Sequence, residues 1–88
     1  MKRNNDFILR ELAGQYILIP FGKNAIDFNG VVNLNDTAKF LWEACENDID
    51  TAELKSALIA EYNIDIDTAE NAVKTFVEQL KEAGCIDE

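Results

Sequence analysis

Residues 31–47 read VVNLNDTAKFLWEACEN, and the sharpest change of rhythm in the chain lies inside them. Val31, Val32 and Leu34 form a short β-rich run in which Val31 and Asn33 point one way and Val32 and Leu34 the other. At Asn35-Asp36 the period changes. Ala38, Leu41, Trp42 and Cys45 then recur at i, i+3, i+4 and i+7, the apolar stripe of an amphipathic helix. Asn35 or Asp36 can accept hydrogen bonds from the free N–H groups of the first turn, so a strand runs directly into a capped helix. The chain before this junction reads as sheet, and the chain after it reads as helix.

Upstream, Asp6–Leu12 (DFILREL) carries the β-formers Phe7, Ile8 and Leu9. Ala13-Gly14-Gln15 is a short turn, and Tyr16–Pro20 (YILIP) is a second strand that Pro20 ends or in which it sits at an unpaired position. Together they make a β-hairpin. Phe21–Gly30 is punctuated by Gly22 and by the turn dipeptide Asn29-Gly30, and reads as a loop with Ile26–Phe28 a candidate for a few residues of strand. Val31–Leu34 is the third strand.

Downstream, the spacing predicts helices over about Asp36–Glu46, Thr51–Tyr62 and Thr68–Ala83. Leu54, Leu58 and Tyr62 share a face of the second, and Ala69, Val73, Phe76, Val77 and Leu80 are in register on the third. Gly84 stands where a left-handed residue ends a helix, with Cys85-Ile86 folding back as a hydrophobic cap. The sequence DIDTAE occurs twice, at Asp48–Glu53 and Asp65–Glu70. Asp50 and Asp67 are expected as N-caps, with Glu53 and Glu70 three residues on as in a capping box. Asn63-x-Asp65-x-Asp67 also begins like a calcium loop, but Thr68 stands where that loop needs Gly and Lys74 where it needs Glu. Capping is the better reading, and no metal site is expected.

The chain has 88 residues, enough for one domain with its own core, spanning 1–88 with an ordered core at about 7–86. No apolar run approaches the ~20 residues of a membrane span, and the start MKRNNDF lacks a signal peptide's apolar segment, so a cytoplasmic chain is expected. Cys45 and Cys85 are 40 residues apart in no CxxC pattern, which suits two buried hydrophobes. Net charge is −9, and it is uneven: residues 1–35 carry four basic and three acidic residues, residues 36–88 four basic and fourteen acidic. The helical half at −10 repels phosphate backbones; it serves solubility or favours a neutral or basic partner. There is no His, no phosphate loop and no nucleophile motif, so neither catalysis nor a cofactor is expected.

Three strands followed by three helices give an α+β, winged helix-turn-helix-like fold. The segment GVVNLNDTAKFLWEACE, with YILIPFGKNAIDFNG before it and LKEAGCI after it, resembles the PqqD family over about Phe7–Ile86. Its namesake is the coenzyme PQQ synthesis protein D, and the domain is also called the RiPP recognition element. The most specific features are Leu34-Asn35, a helix with Leu41-Trp42-Glu43, and the closing Leu80…Gly84-Cys85-Ile86. Ala38 departs from the Gly of many relatives.

The resemblance implies a non-catalytic domain that binds the leader segment of a ribosomally made precursor peptide. Such a domain presents the core to a modifying enzyme, often a radical SAM protein. The leader would add a strand to the third strand's edge, in a groove shared with the third helix. Carried over, that groove involves Val31, Val32, Asn33 and Leu34 with Ala72, Val73, Phe76 and Val77; Val73 and Val77 lie on one flank of the helix, Ala72 and Phe76 on the other. Neither nucleic acid nor membrane is an expected partner. A DNA-binding winged helix is the alternative, although only Lys74 and Lys81 are basic on the third helix. A structural partner domain without a peptide ligand is another.

Overall fold

The computed structural model describes residues 1–22 and 32–87, so the expected features at Ile26–Phe28 and Val31 lie outside the described residues. In chain order the elements are β1 (Lys2–Arg3), β2 (Phe7–Leu12), β3 (Gln15–Pro20), β4 (Val32–Leu34), α1 (Asp36–Ala44), α2 (Thr51–Tyr62), α3 (Ile66–Glu82) and β5 (Ile86–Asp87). The order β2-β3-β4 makes an antiparallel sheet with β3 in the middle. The fold is the expected three-stranded antiparallel sheet followed by three helices.

The β2–β3 hairpin closes through two residues, not three, with Leu12 opposite Gln15. Ala13 and Gly14 both have positive φ, 52° and 78°. That is the primed turn whose twist matches the flanking strands, and Gly14 supplies half of it without a Cβ penalty. Cross-strand pairing then sorts the side chains. Leu9, Leu18 and Val32 lie in one row, and Tyr16 stands beside Leu34 in the next. This face packs on Ala38, Leu41, Trp42 and Cys45 of the α1 stripe, Leu54 and Leu58 of α2, and Ala69, Val73, Phe76 and Leu80 of α3. Trp42 is 2% exposed, as its place on the stripe requires.

The caps explain where the helices begin. Asn35 is the N-cap of α1, its side chain accepting from the Ala38 N–H at 2.8 Å. Asp50 and Glu53 form the expected capping box at α2. The second copy of DIDTAE behaves differently. Asp65, not Asp67, caps α3 by accepting from the Thr68 N–H at 2.7 Å, so the helix starts two residues earlier than expected, and Asp67 lies in its first turn. Either Asp can cap in isolation. Capping at Asp65 leaves Ile64 just outside the helix, where it packs against the core. At the other end, Gly84 has φ 77°, its N–H donates to the Lys81 carbonyl, and the Cys85 N–H reaches the Leu80 carbonyl at 2.8 Å. This doubly bonded Schellman turn buries Cys85 and Ile86.

That turn serves a feature that sequence periodicity does not reveal. β5 pairs antiparallel with β1, with Arg3 opposite Ile86. The N-terminal segment is further tied by the Arg3 N–H to the Cys45 carbonyl (3.1 Å) and the Ile49 N–H to the Met1 carbonyl (2.9 Å). The Arg3 guanidinium lies 5.5 Å from the Trp42 ring centre, over the buried end of α1.

Candidate functional site: the open edge of β4

Among the described residues β4 is an edge strand, and the hairpin register determines which of its backbone groups turn outward. The Phe21 N–H donates to the Asp6 carbonyl at 2.9 Å, which makes Asp6 and Phe21 a hydrogen-bonded pair just beyond Phe7 and Pro20. Bonded and non-bonded pairs alternate along an antiparallel ladder. Ile8/Ile19, Arg10/Ile17 and Leu12/Gln15 are therefore bonded pairs, and the N–H and C=O of Ile17 both face β2. Those of Tyr16 and Leu18 face β4, so Tyr16/Leu34 and Leu18/Val32 are the bonded pairs on that side. Asn33, opposite Ile17, turns its N–H and C=O away from the sheet. Of Val32 and Asn33, it is Asn33 whose amide the register turns outward.

Side chains follow the same alternation. Val32 and Leu34 are buried at 8% and 6% exposure, so they hold the strand to the core while Asn33 stays exposed. Facing this edge is one flank of α3. Ala72, Thr75, Phe76 and Gln79 line a hollow of about 310 Å³ together with Asn35 and Ala38. A second hollow of about 590 Å³ shares Asn35, Ala38 and Gln79 and extends over Asn33, Leu34 and Tyr16. The two form one trough from α3 across the start of α1 to the end of β4. Its lining is polar over an apolar floor: Asn33, Asn35, Thr75 and Gln79, with the carboxylate of Asp36, surround buried Ala38 and Phe76.

The residues expected in the groove are thus divided. Asn33, Leu34, Ala72 and Phe76 come together there. Val73 and Val77 turn to the opposite flank and line a separate hollow of about 390 Å³ against Thr51, Ala52 and Lys55 of α2, where Lys55 and Glu70 approach to 3.9 Å. Val32 contributes its backbone to the ladder and its side chain to the core, and Val31 lies outside the described residues. Gln79 is absent from the sequence-based set. It lies three residues after Phe76 and seven after Ala72, so helical periodicity from Ala72 would have found it.

The trough offers hydrogen-bonding groups and apolar surface. Among the described residues no polar or charged side chain is buried, and no group of three or more His, Cys, Asp or Glu residues is placed to hold a metal. Burial pushes the thiols of Cys45 and Cys85 up to about 11, so both are protonated at neutral pH and poor nucleophiles. No helix among the described residues is long and apolar enough to cross a membrane.

Comparison with known proteins gives this geometry a context. No curated protein matches the chain significantly. Among solved structures, TbiB1 in complex with the TbiA(beta) leader peptide has a similar fold: TM-score 0.69 and 22% identity, covering 99% of this chain and 100% of that one. The family model of coenzyme PQQ synthesis protein D (PqqD) matches residues 8–86, nearly the whole length. This chain belongs to the PqqD family.

Proposed function

We propose that this protein is a peptide-binding chaperone acting as a single recognition domain. It takes the leader segment of a ribosomally synthesised precursor as an added strand on β4 and presents the rest of the precursor to a modifying enzyme such as a radical SAM protein. The observation that carries the reading is Asn33: an exposed edge residue whose N–H and C=O both face a trough walled by α3. An extended peptide satisfies such an edge through its backbone, and the apolar floor gives its alternate side chains something to bury. The likeness to TbiB1, a protein seen with a leader peptide bound, supports the same occupant.

The protein has no catalytic step of its own in this reading. It lacks His altogether, and its two thiols are protonated. It works in the cytoplasm, where precursors are made. DNA binding is not favoured: Lys74 and Lys81 share α3 with Asp67, Glu70, Glu78 and Glu82.

The peptide's apolar side chains rest on the Ala72–Phe76 flank. A matched pair of variants tests this, using fluorescence polarisation with a fluorescently labelled synthetic leader peptide. Ala72→Asp should weaken binding about tenfold or more, by setting a charge against a desolvated apolar side chain. Val77→Asp, facing α2, should weaken it much less. Equal affinity for wild type and Ala72→Asp would remove the trough as the site.

A further inference from the structure

Among the described residues, Gln79 is the α3 side chain that reaches the open edge of β4: its Nε2 donates to the Asn33 carbonyl at 3.4 Å. It is exposed, and it lines both hollows of the trough. A primary carboxamide carries the same donor and acceptor as a peptide group. Gln79 therefore puts a peptide-like N–H where the first backbone N–H of an added strand would arrive. At 3.4 Å the bond is longer than the usual 2.7–3.2 Å, so it is easily replaced by a well-aligned one.

We infer that Gln79 is a specificity-determining residue of the edge: it occupies the Asn33 carbonyl while the trough is empty and must be displaced by the backbone N–H of a bound strand. The inference rests on the peptide-binding reading above. Its consequence is a threshold. A peptide that fills the apolar floor gains enough to release Gln79, whereas a strand with backbone pairing alone, including β4 of a second copy, gains little beyond what Gln79 already gives. The leader residue opposite Asn33 must also keep its N–H, so proline is rejected there.

The test uses Gln79→Met, which keeps the length and apolar stem but loses the donor, and Gln79→Asn, whose amide is too short to reach. In the free protein, each substitution should move the Asn33 carbonyl 13C resonance and increase concentration-dependent self-association in sedimentation. Toward the synthetic leader peptide, each should bind about two- to fivefold more tightly than wild type, the range of one weak neutral hydrogen bond. A leader variant with proline opposite Asn33 should bind each protein about 5- to 30-fold more weakly than the unsubstituted leader does. An unmoved Asn33 carbonyl, or affinity that stays the same or falls in either variant, overturns the role of Gln79 while leaving the peptide reading standing. Absence of leader binding by wild type and variants alike overturns both.

Discussion

Replacing Asn33 with proline deletes one backbone N–H and little else. In the free protein that N–H faces away from β3, because Asn33 lies opposite Ile17 at a non-bonded position of the ladder. Its side chain is exposed, and edge strands tolerate proline where the missing N–H points outward. Folding stability should therefore change by only about 1 kcal/mol, the usual scale of proline effects on a compatible backbone. Val32→Pro is the contrasting case. It removes an N–H bonded to β3 and disturbs a side chain that is 8% exposed, a loss of about 2–4 kcal/mol from one ladder bond and one core contact.

Leader binding should respond in the opposite order of specificity. Asn33→Pro leaves a peptide carbonyl facing a ring in place of a donor, at a site where water still reaches. The lower part of the range for an unmade hydrogen bond, about 1–2 kcal/mol, applies there and corresponds to about 5- to 30-fold weaker binding. Thermal melts establish that the variant is folded, and fluorescence polarisation with the leader peptide gives the affinity. A folded Asn33→Pro protein that binds as tightly as wild type would refute the register argument.

Trp42→Ala should cost about 3–5 kcal/mol through the cavity it leaves, and native tryptophan emission should be that of a buried indole; a water-exposed spectrum would contradict the 2% exposure. Asp50→Ala should destabilise by about 0.5–2 kcal/mol through loss of its capping box. Asp65→Ala should lower Tm while Asp67→Ala barely moves it, and the reverse order would place the start of α3 wrongly. Hydrogen bonds from Thr68 hold the Asp65 carboxyl below its usual range, so its contribution is present above the ordinary carboxylate pKa and is lost as pH falls through the lowered one. Cys45 and Cys85 should resist alkylation at neutral pH in the native state. Because burial raises both thiols from 9.0 to about 11, their contribution is present below 9.0 and fades as pH rises toward 11; rapid native labelling at neutral pH would show that these thiols are not sequestered.

Local rules account for the part of the fold that is legible in the sequence. The period switch at Asn35-Asp36 specifies the strand-to-helix junction, and the stripe Ala38-Leu41-Trp42-Cys45 specifies the buried face of α1, because both depend on neighbours within a few residues. The repeated DIDTAE shows where local rules stop. Both copies offer two Asp residues, and the first copy is capped by its second, Asp50, whereas the second copy is capped by its first, Asp65, a choice that the shared local sequence does not make. β1 and β5 are two residues each, with no periodicity to detect, and they exist because the Gly84 turn brings the ends of the chain together. The groove was half legible. Apolar spacing marks α3 as amphipathic but cannot assign its flanks, and only the packing of α2 on Val73 and Val77 leaves Ala72, Phe76 and Gln79 to face β4.

The central claim is that a leader peptide becomes the fourth strand of the sheet beside β4. Amide hydrogen exchange by NMR, with and without saturating leader peptide, tests it most directly, because the Asn33 N–H has no ladder partner among the described residues. The account predicts that Asn33 gains strong protection on binding, with shift changes confined to residues 32–36 and the 72–79 flank of α3. Unchanged exchange at Asn33, with perturbations gathered on α2 around Thr51, Ala52 and Lys55, would contradict it.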